Sequence, residues 1–76
     1  MTRADFIKNF TGKVENDAQN IWVDVTEDIQ ANISIDEVMN GKPEMELFEA
    51  STILENDQDH PAWDSLYEDY LAQVEQ

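Results

Sequence analysis

Carboxylates dominate the side chains able to do chemistry in this sequence. From Val14 to Gln76 there are seventeen Asp and Glu against a single basic residue, Lys42. Arg3, Lys8 and Lys13 hold the remaining positive charge, and the net charge is -14 over 76 residues. Paired carboxylates act as general acid and base only where a cleft holds substrate between them, and so short a chain has little volume beyond its core. His60 stands alone between Asp59 and Pro61, where a place at the start of a helix accounts for it. Cysteine is absent, which removes thiol catalysis, disulfides and the ordinary zinc sites. Gly12 and Gly41, the only glycines, cannot build a phosphate-cradling loop. No nucleophile, base and orienting group fall into a working set, so the sequence predicts no enzyme activity, no metal and no cofactor.

Three local patterns deserve weighing against that background. Asp57, Asp59 and Glu68 match positions 1, 3 and 12 of a calcium-binding helix-loop-helix. The sixth position, which needs Gly for its sharp turn, is Ala62, and Pro61 starts a helix where the loop should still be turning. Asp64-Ser65-Leu66 is similar to the motif whose serine carries the prosthetic arm in acyl carrier proteins. In that family the motif opens a helix near mid-chain, whereas Ser65 falls inside the last helix of this chain. Asp5-Phe6-Ile7 with Thr11-Gly12-Lys13, and Val38 with Lys42-Pro43-Glu44, resemble short stretches of the phage inhibitors of uracil-DNA glycosylase, which are acidic DNA mimics of similar size. The helical pattern of the C-terminal half departs from that family's antiparallel sheet. None of the three assigns the chain to a family.

The charge itself is the functional signal. A surplus of one sign destabilises the compact state through self-repulsion and is retained where a partner requires it. Nucleic acid and anionic lipid would both be repelled, which excludes direct binding to either. The complementary partner is a basic protein surface, and basic surfaces are commonly built for nucleic acid. Duplex DNA carries one charge per ~1.7 Å of axis, so a domain spanning roughly 30 Å faces on the order of 18 phosphates. The chain has eighteen carboxylates. The expected function is therefore a protein-binding inhibitor whose acidic surface mimics nucleic acid and blocks a basic DNA- or RNA-binding site. Its profile looks like that of phage anti-CRISPR and anti-restriction proteins, with the target a nuclease or defence complex. An immunity protein or antitoxin against a nuclease has the same physics. A small acidic adaptor subunit with no inhibitory role is the alternative of a different class. The candidate contact residues are Glu44, Glu46, Glu49, Glu55, Asp57, Asp59, Asp64, Glu68, Asp69 and Glu75, where no basic residue intervenes. Trp22 or Tyr67 would supply an apolar anchor.

These carboxylates must be positioned by short elements. Thr2 with Asp5 reads as a capping box for a first helix that carries Phe6, Ile7 and Phe10 and stops at Gly12. Over 14–35 two periods compete. A helix gathers Val14, Ala18, Ile21, Trp22, Val25, Ile29 and Ile33 into an arc of roughly 120°. A hairpin turning at Thr26-Glu27-Asp28 alternates Ile21, Val23, Val25 with Ile29, Ala31, Ile33 and Ile35, but leaves Trp22 on the wet face and lacks a turn glycine. The absence of Gly and Pro between Gly12 and Gly41 favours the helix. Ser34 with Glu37 suggests a short helix ending near Gly41, Pro43 the start of another that carries Met45, Leu47, Phe48, Ala50, Ile53 and Leu54 through the core. Glu55 to His60 connects to a last helix from Pro61, with Trp63, Leu66, Tyr67, Tyr70, Leu71 and Val74 on its inner face.

The fold predicted is mainly α, a small bundle of three to five helices in a single domain over 1–76, with an α+β fold carrying a β-hairpin at about 20–35 packed by helices as the alternative. No apolar run approaches the ~18 residues of a membrane span, and no signal peptide is evident, so the cytoplasm of a bacterial host cell is the expected setting. Dimerisation would help so small a core.

Overall fold

Residues 20–34 form a β-hairpin, which replaces the favoured helix and the mainly α bundle with the alternative, a hairpin at about 20–35 packed by helices. The computed structural model describes residues 2–10, 14–17, 19–39 and 45–75. In chain order the elements are α1 (Arg3–Lys8), β1 (Val14–Asn16), β2 (Asn20–Asp24), β3 (Gln30–Ser34), α2 (Ile35–Met39), α3 (Leu47–Asn56) and α4 (Ala62–Val74). The strands make one antiparallel sheet in the order β1-β2-β3, with Ile21 opposite Ile33, Trp22 opposite Asn32, and Glu15 opposite Trp22. The fold is thus mixed α and β.

Two side chains answer the objections to the hairpin. Thr26 stands in for the missing turn glycine: its Oγ1 accepts from the Asp28 N–H at 3.3 Å and the Ile29 N–H at 3.1 Å. The Val25 and Thr26 N–H groups both donate to the Ile29 carbonyl, closing a loop wide enough to need no special backbone. Trp22 does face away from the core, but its indole N–H donates to Asp17 Oδ2 at 2.9 Å and the ring lies half-buried on the sheet. With both met, the β-branched residues settle into strands, where their χ1 restriction costs least.

Alternation then sorts the sheet into two faces. Ile21, Val23, Ala31 and Ile33 are buried on one side, and Val25 beyond β2 joins them. On the other, Asn20, Trp22, Asp24, Asn32 and Ser34 are half-buried, while Glu15 and Gln30 are exposed. The helices cover the first face only, through Phe6, Val38, Met39, Ala50, Leu54, Trp63, Leu66 and Tyr70, all in one core cluster with the strand residues. Burying each of the larger of these contributes about 1.5–3 kcal/mol relative to exposure. Phe6 sits at the centre of an aromatic group, 5.1 Å from Tyr70, 5.6 Å from Tyr67 and 6.3 Å from Trp63 between ring centroids.

Helix ends follow local chemistry. The Thr2–Asp5 capping box forms, but α1 ends at Lys8 with Asn9 as its C-cap rather than running to Gly12, which lies outside the described residues. Ser34 Oγ accepts from the Glu37 N–H at 3.2 Å, so the last strand residue caps α2. The third helix begins at Leu47, with Glu46 as its N-cap and Met45 before it in a bend; the expected start, Pro43, lies outside the described residues. Pro61 is the N-cap of α4, as its fixed φ favours, and His60 Nδ1 accepts from the Ala62 N–H at 3.1 Å. No described helix is long and apolar enough to cross a membrane.

Candidate protein-binding surface

Every described carboxylate reaches solvent. Fifteen are exposed, Asp24 and Asp69 are half-buried, and none is buried. This follows from the alternation and helical periodicity that fill the inner faces with apolar residues. Among the described residues one ion pair forms, Arg3 with Asp64, and the same guanidinium donates to the Gln58 carbonyl at 3.2 Å.

The predicted contact residues do not form one continuous face. Glu46, the N-cap of α3, Glu49 on its outer side and Glu55 in its last turn are all exposed, as are Asp57, its C-cap, and Asp59 in the connector. Asp64, Glu68 and Glu75 recur along the outer side of α4 at helical spacing and are exposed, though Asp64 is already engaged by Arg3. Glu44 lies outside the described residues. Asp69 turns the other way. Its Oδ2 accepts from the Asn32 N–H of β3 at 2.8 Å, and Gln73, one turn on, donates to the Gln30 carbonyl of the same strand. Together they cap the outer edge of the sheet, so the Asp69 carboxylate is committed to the fold.

The aromatic on this surface is Phe48, which sequence periodicity placed in the core. It is 73 % exposed, while α3 buries Ala50, Ser51 and Leu54 instead. A signal was present: at 100° per residue Phe48 shares its stripe with Thr52 and Glu55. Phe48 is thus an exposed apolar ring on a stripe of α3 that also carries Glu55. Tyr67, one of the anchors suggested above, packs on Phe6 and is half-buried.

Asp17 marks a second acidic locus, on the open sheet face. The Trp22 indole N–H, then the backbone N–H groups of Gln19 and Asn20, hold its carboxyl below the ordinary value of 3.8, with slight desolvation opposing. The two backbone bonds are 2.9 and 2.7 Å long. Opposite Trp22 stands Glu15, and Asp24 Oδ1 accepts from Gln30 Nε2 at 2.8 Å. Carboxylates thus lie on both layers of the molecule. Among the described residues no group of three His, Asp or Glu converges as a metal would require.

Compared with known protein families, curated proteins and solved structures, the chain matches none.

Proposed function

We propose that this chain is a protein-binding inhibitor whose acidic surface stands in for nucleic acid and occupies the basic DNA- or RNA-binding site of its target. The observation that carries the reading is the exposure of carboxylates on both layers of a body measuring 34 × 22 × 19 Å. Its long axis equals one turn of duplex, ~34–36 Å. Over that length DNA presents about 20 phosphates, against eighteen carboxylates here. The near-absence of paired cations separates this surface from an ordinary solvated exterior, where both signs are interspersed.

The mechanism is occupancy. Long-range attraction between a protein of net charge -14 and a basic groove speeds encounter. Arginines and lysines of the groove then pair with carboxylates held on α3 and α4, and Phe48 supplies the desolvated anchor that a polar rim needs around it. No bond is made or broken. The setting proposed is the cytoplasm of a bacterial cell, with a nuclease or nucleic-acid-binding defence complex as target. Antagonism of defence and neutralisation of a toxin nuclease share this mechanism.

Tagged protein incubated with bacterial lysate at low and high salt, with excess duplex DNA as competitor, tests the proposal. Capture of a nucleic-acid-binding protein at low salt, released by DNA, is the expected result. Reversing Glu49 and Glu68 to Lys should weaken that capture on the order of tenfold. A partner indifferent to both salt and DNA would replace the mimic with an adaptor subunit.

A further inference from the structure

A cavity of about 300 Å³ opens where α1, α3 and α4 converge, lined by Ile7, Phe10, Glu55, Gln58 and Trp63. Its lining is shared between the apolar Ile7, Phe10 and Trp63 and the polar Glu55 and Gln58. Phe10 and Trp63 meet edge to face with centroids 5.6 Å apart, and Ile7 completes the apolar side. The Trp63 indole N–H is spent on the Leu54 and Asp57 carbonyls at 2.9 and 3.0 Å, so the tryptophan offers the cavity no free donor. Glu55 and Gln58 supply its polar groups, and among the described residues no hydrogen bond or ion pair engages the Glu55 carboxylate.

We infer that this cavity is a receptor for one arginine side chain of the basic partner. An alkyl stem suits Ile7 and Phe10, a planar guanidinium stacks on aromatic faces, and its fork of donors matches a carboxylate bidentately. Lysine, a compact and strongly hydrated point charge, uses neither the aromatic wall nor the planar fork. The chain itself supplies a precedent beside the cavity: Arg3 binds the Gln58 carbonyl and Asp64 on the same connector and helix start. With those acceptors filled, Glu55 is the acid left to recognise an arriving guanidinium. Exposed Asp57 and Asp59 lie on the same connector and add to the attraction.

The inference rests on the proposed basic partner, and its test is arranged so that the two fail separately. N-acetyl-arginine methylamide is titrated into the isotopically labelled protein, with amide shifts and the Trp63 indole signal as readout. The citrulline and lysine analogues serve as comparisons. Saturable shifts at Ile7, Phe10, Glu55, Gln58 and Trp63, strongest for arginine, are expected. Glu55→Gln should weaken binding about five-fold, the value of an exposed charge pair at its upper end, while Glu27→Gln, in the exposed turn between β2 and β3, leaves it unchanged. Phe10→Leu, which keeps the apolar volume but removes the ring, should weaken it as well. Equal shifts from citrulline, or an effect of Glu55→Gln no larger than that of Glu27→Gln, would overturn the inference. DNA-displaceable capture from lysate without arginine binding at the cavity removes the inference alone. Arginine binding without any such capture leaves the receptor standing and removes the proposed function.

Discussion

Asp69→Ala separates a carboxylate that builds the fold from those proposed to face a partner. In the native protein Asp69 Oδ2 accepts from the outward N–H of Asn32, and the bond is part-buried. Removing the carboxylate leaves that N–H without its charged acceptor. A hydrogen bond to a charged group contributes about 1.5–3 kcal/mol, and partial exposure places this one near ~1.5–2. At the per-residue stability of small domains, 76 residues amount to roughly 4–11 kcal/mol in total, so the loss is substantial. At about 4–8 °C per kcal/mol for a domain of this size, the midpoint of thermal unfolding should fall by ~6–16 °C. Urea denaturation of Asp69→Ala, Asp69→Asn and Glu68→Ala makes the measurement. Glu68 is exposed one residue away and should cost less than ~0.5 kcal/mol. Asp69→Asn keeps an oxygen acceptor and should lie between the two. The uncapped β3 edge should also pair between copies, which light scattering at rising concentration would detect. If Asp69→Ala and Glu68→Ala unfold together and stay monomeric, the capping argument is wrong. Any charge reversal at Asp69 would mix folding with binding, which makes Glu49 and Glu68 the proper probes of the surface.

Other expectations follow from the same bonds. Because the folded state lowers the Asp17 carboxyl below its unfolded value, its contribution is complete above about pH 4 and is lost as pH falls through the folded value. Asp17→Asn should therefore lose less stability than the native protein between neutral pH and pH ~3, and a carboxyl titration midpoint at or above 3.8 in the native protein would refute this. Trp63 is 2 % exposed, and Trp63→Ala should cost ~3–5 kcal/mol, enough to unfold a marginal domain, as circular dichroism would record. Trp63→Phe keeps most of the packing and loses only the two carbonyl contacts, so it should remain folded but weakened. Glu75, the C-cap of α4, opposes the helix dipole, and Glu75→Lys should raise stability by a few tenths of a kcal/mol in low salt.

Local chemistry was readable in the residues, and long-range chemistry was not. The Thr2–Asp5 box, the Ser34 cap and the Pro61 start each lie within four residues of what they control, and all three form. The inner face of α4 followed from periodicity, with Trp63, Leu66 and Tyr70 buried, though Val74 is 42 % exposed. Residues 20–34 stayed ambiguous because Ile21, Val25, Ile29 and Ile33 satisfy both a helical and a strand period. The hairpin is decided by two short-range side-chain bonds, from Thr26 to its own turn and from Trp22 to Asp17, which polarity patterns do not register. The three-residue β1 was invisible for want of length. At the surface, exposure of the acids was legible, but the commitment of Asp69 to Asn32 spans 37 residues and no local pattern announces it. Phe48 was misplaced for a simpler reason: hydrophobicity was weighed above the polar stripe it shares with Thr52 and Glu55.

The acids at helix ends bear on why the charge is there. Neither α3 nor α4 has a basic residue in its last turn. Glu55 occupies the last turn of α3, Asp57 is its C-cap, and Glu75 is the C-cap of α4. A helix C-terminus carries partial negative charge, so carboxylates there cost about 0.3–1 kcal/mol each at low ionic strength, where Lys or Arg would stabilise. Solubility does not explain this choice, since lysines at those three positions would leave the chain at -8, still well removed from neutrality. The proposed binding surface would account for it: Glu55 lines the cavity, Asp57 follows as the C-cap of α3, and Glu75 extends the acidic stripe of α4. On that proposal the stability lost in low salt is restored by the partner's cations, since a basic groove would neutralise both the dipole and the carboxylates that oppose it. Binding and stabilisation should then be coupled, and the target should protect these helix ends most.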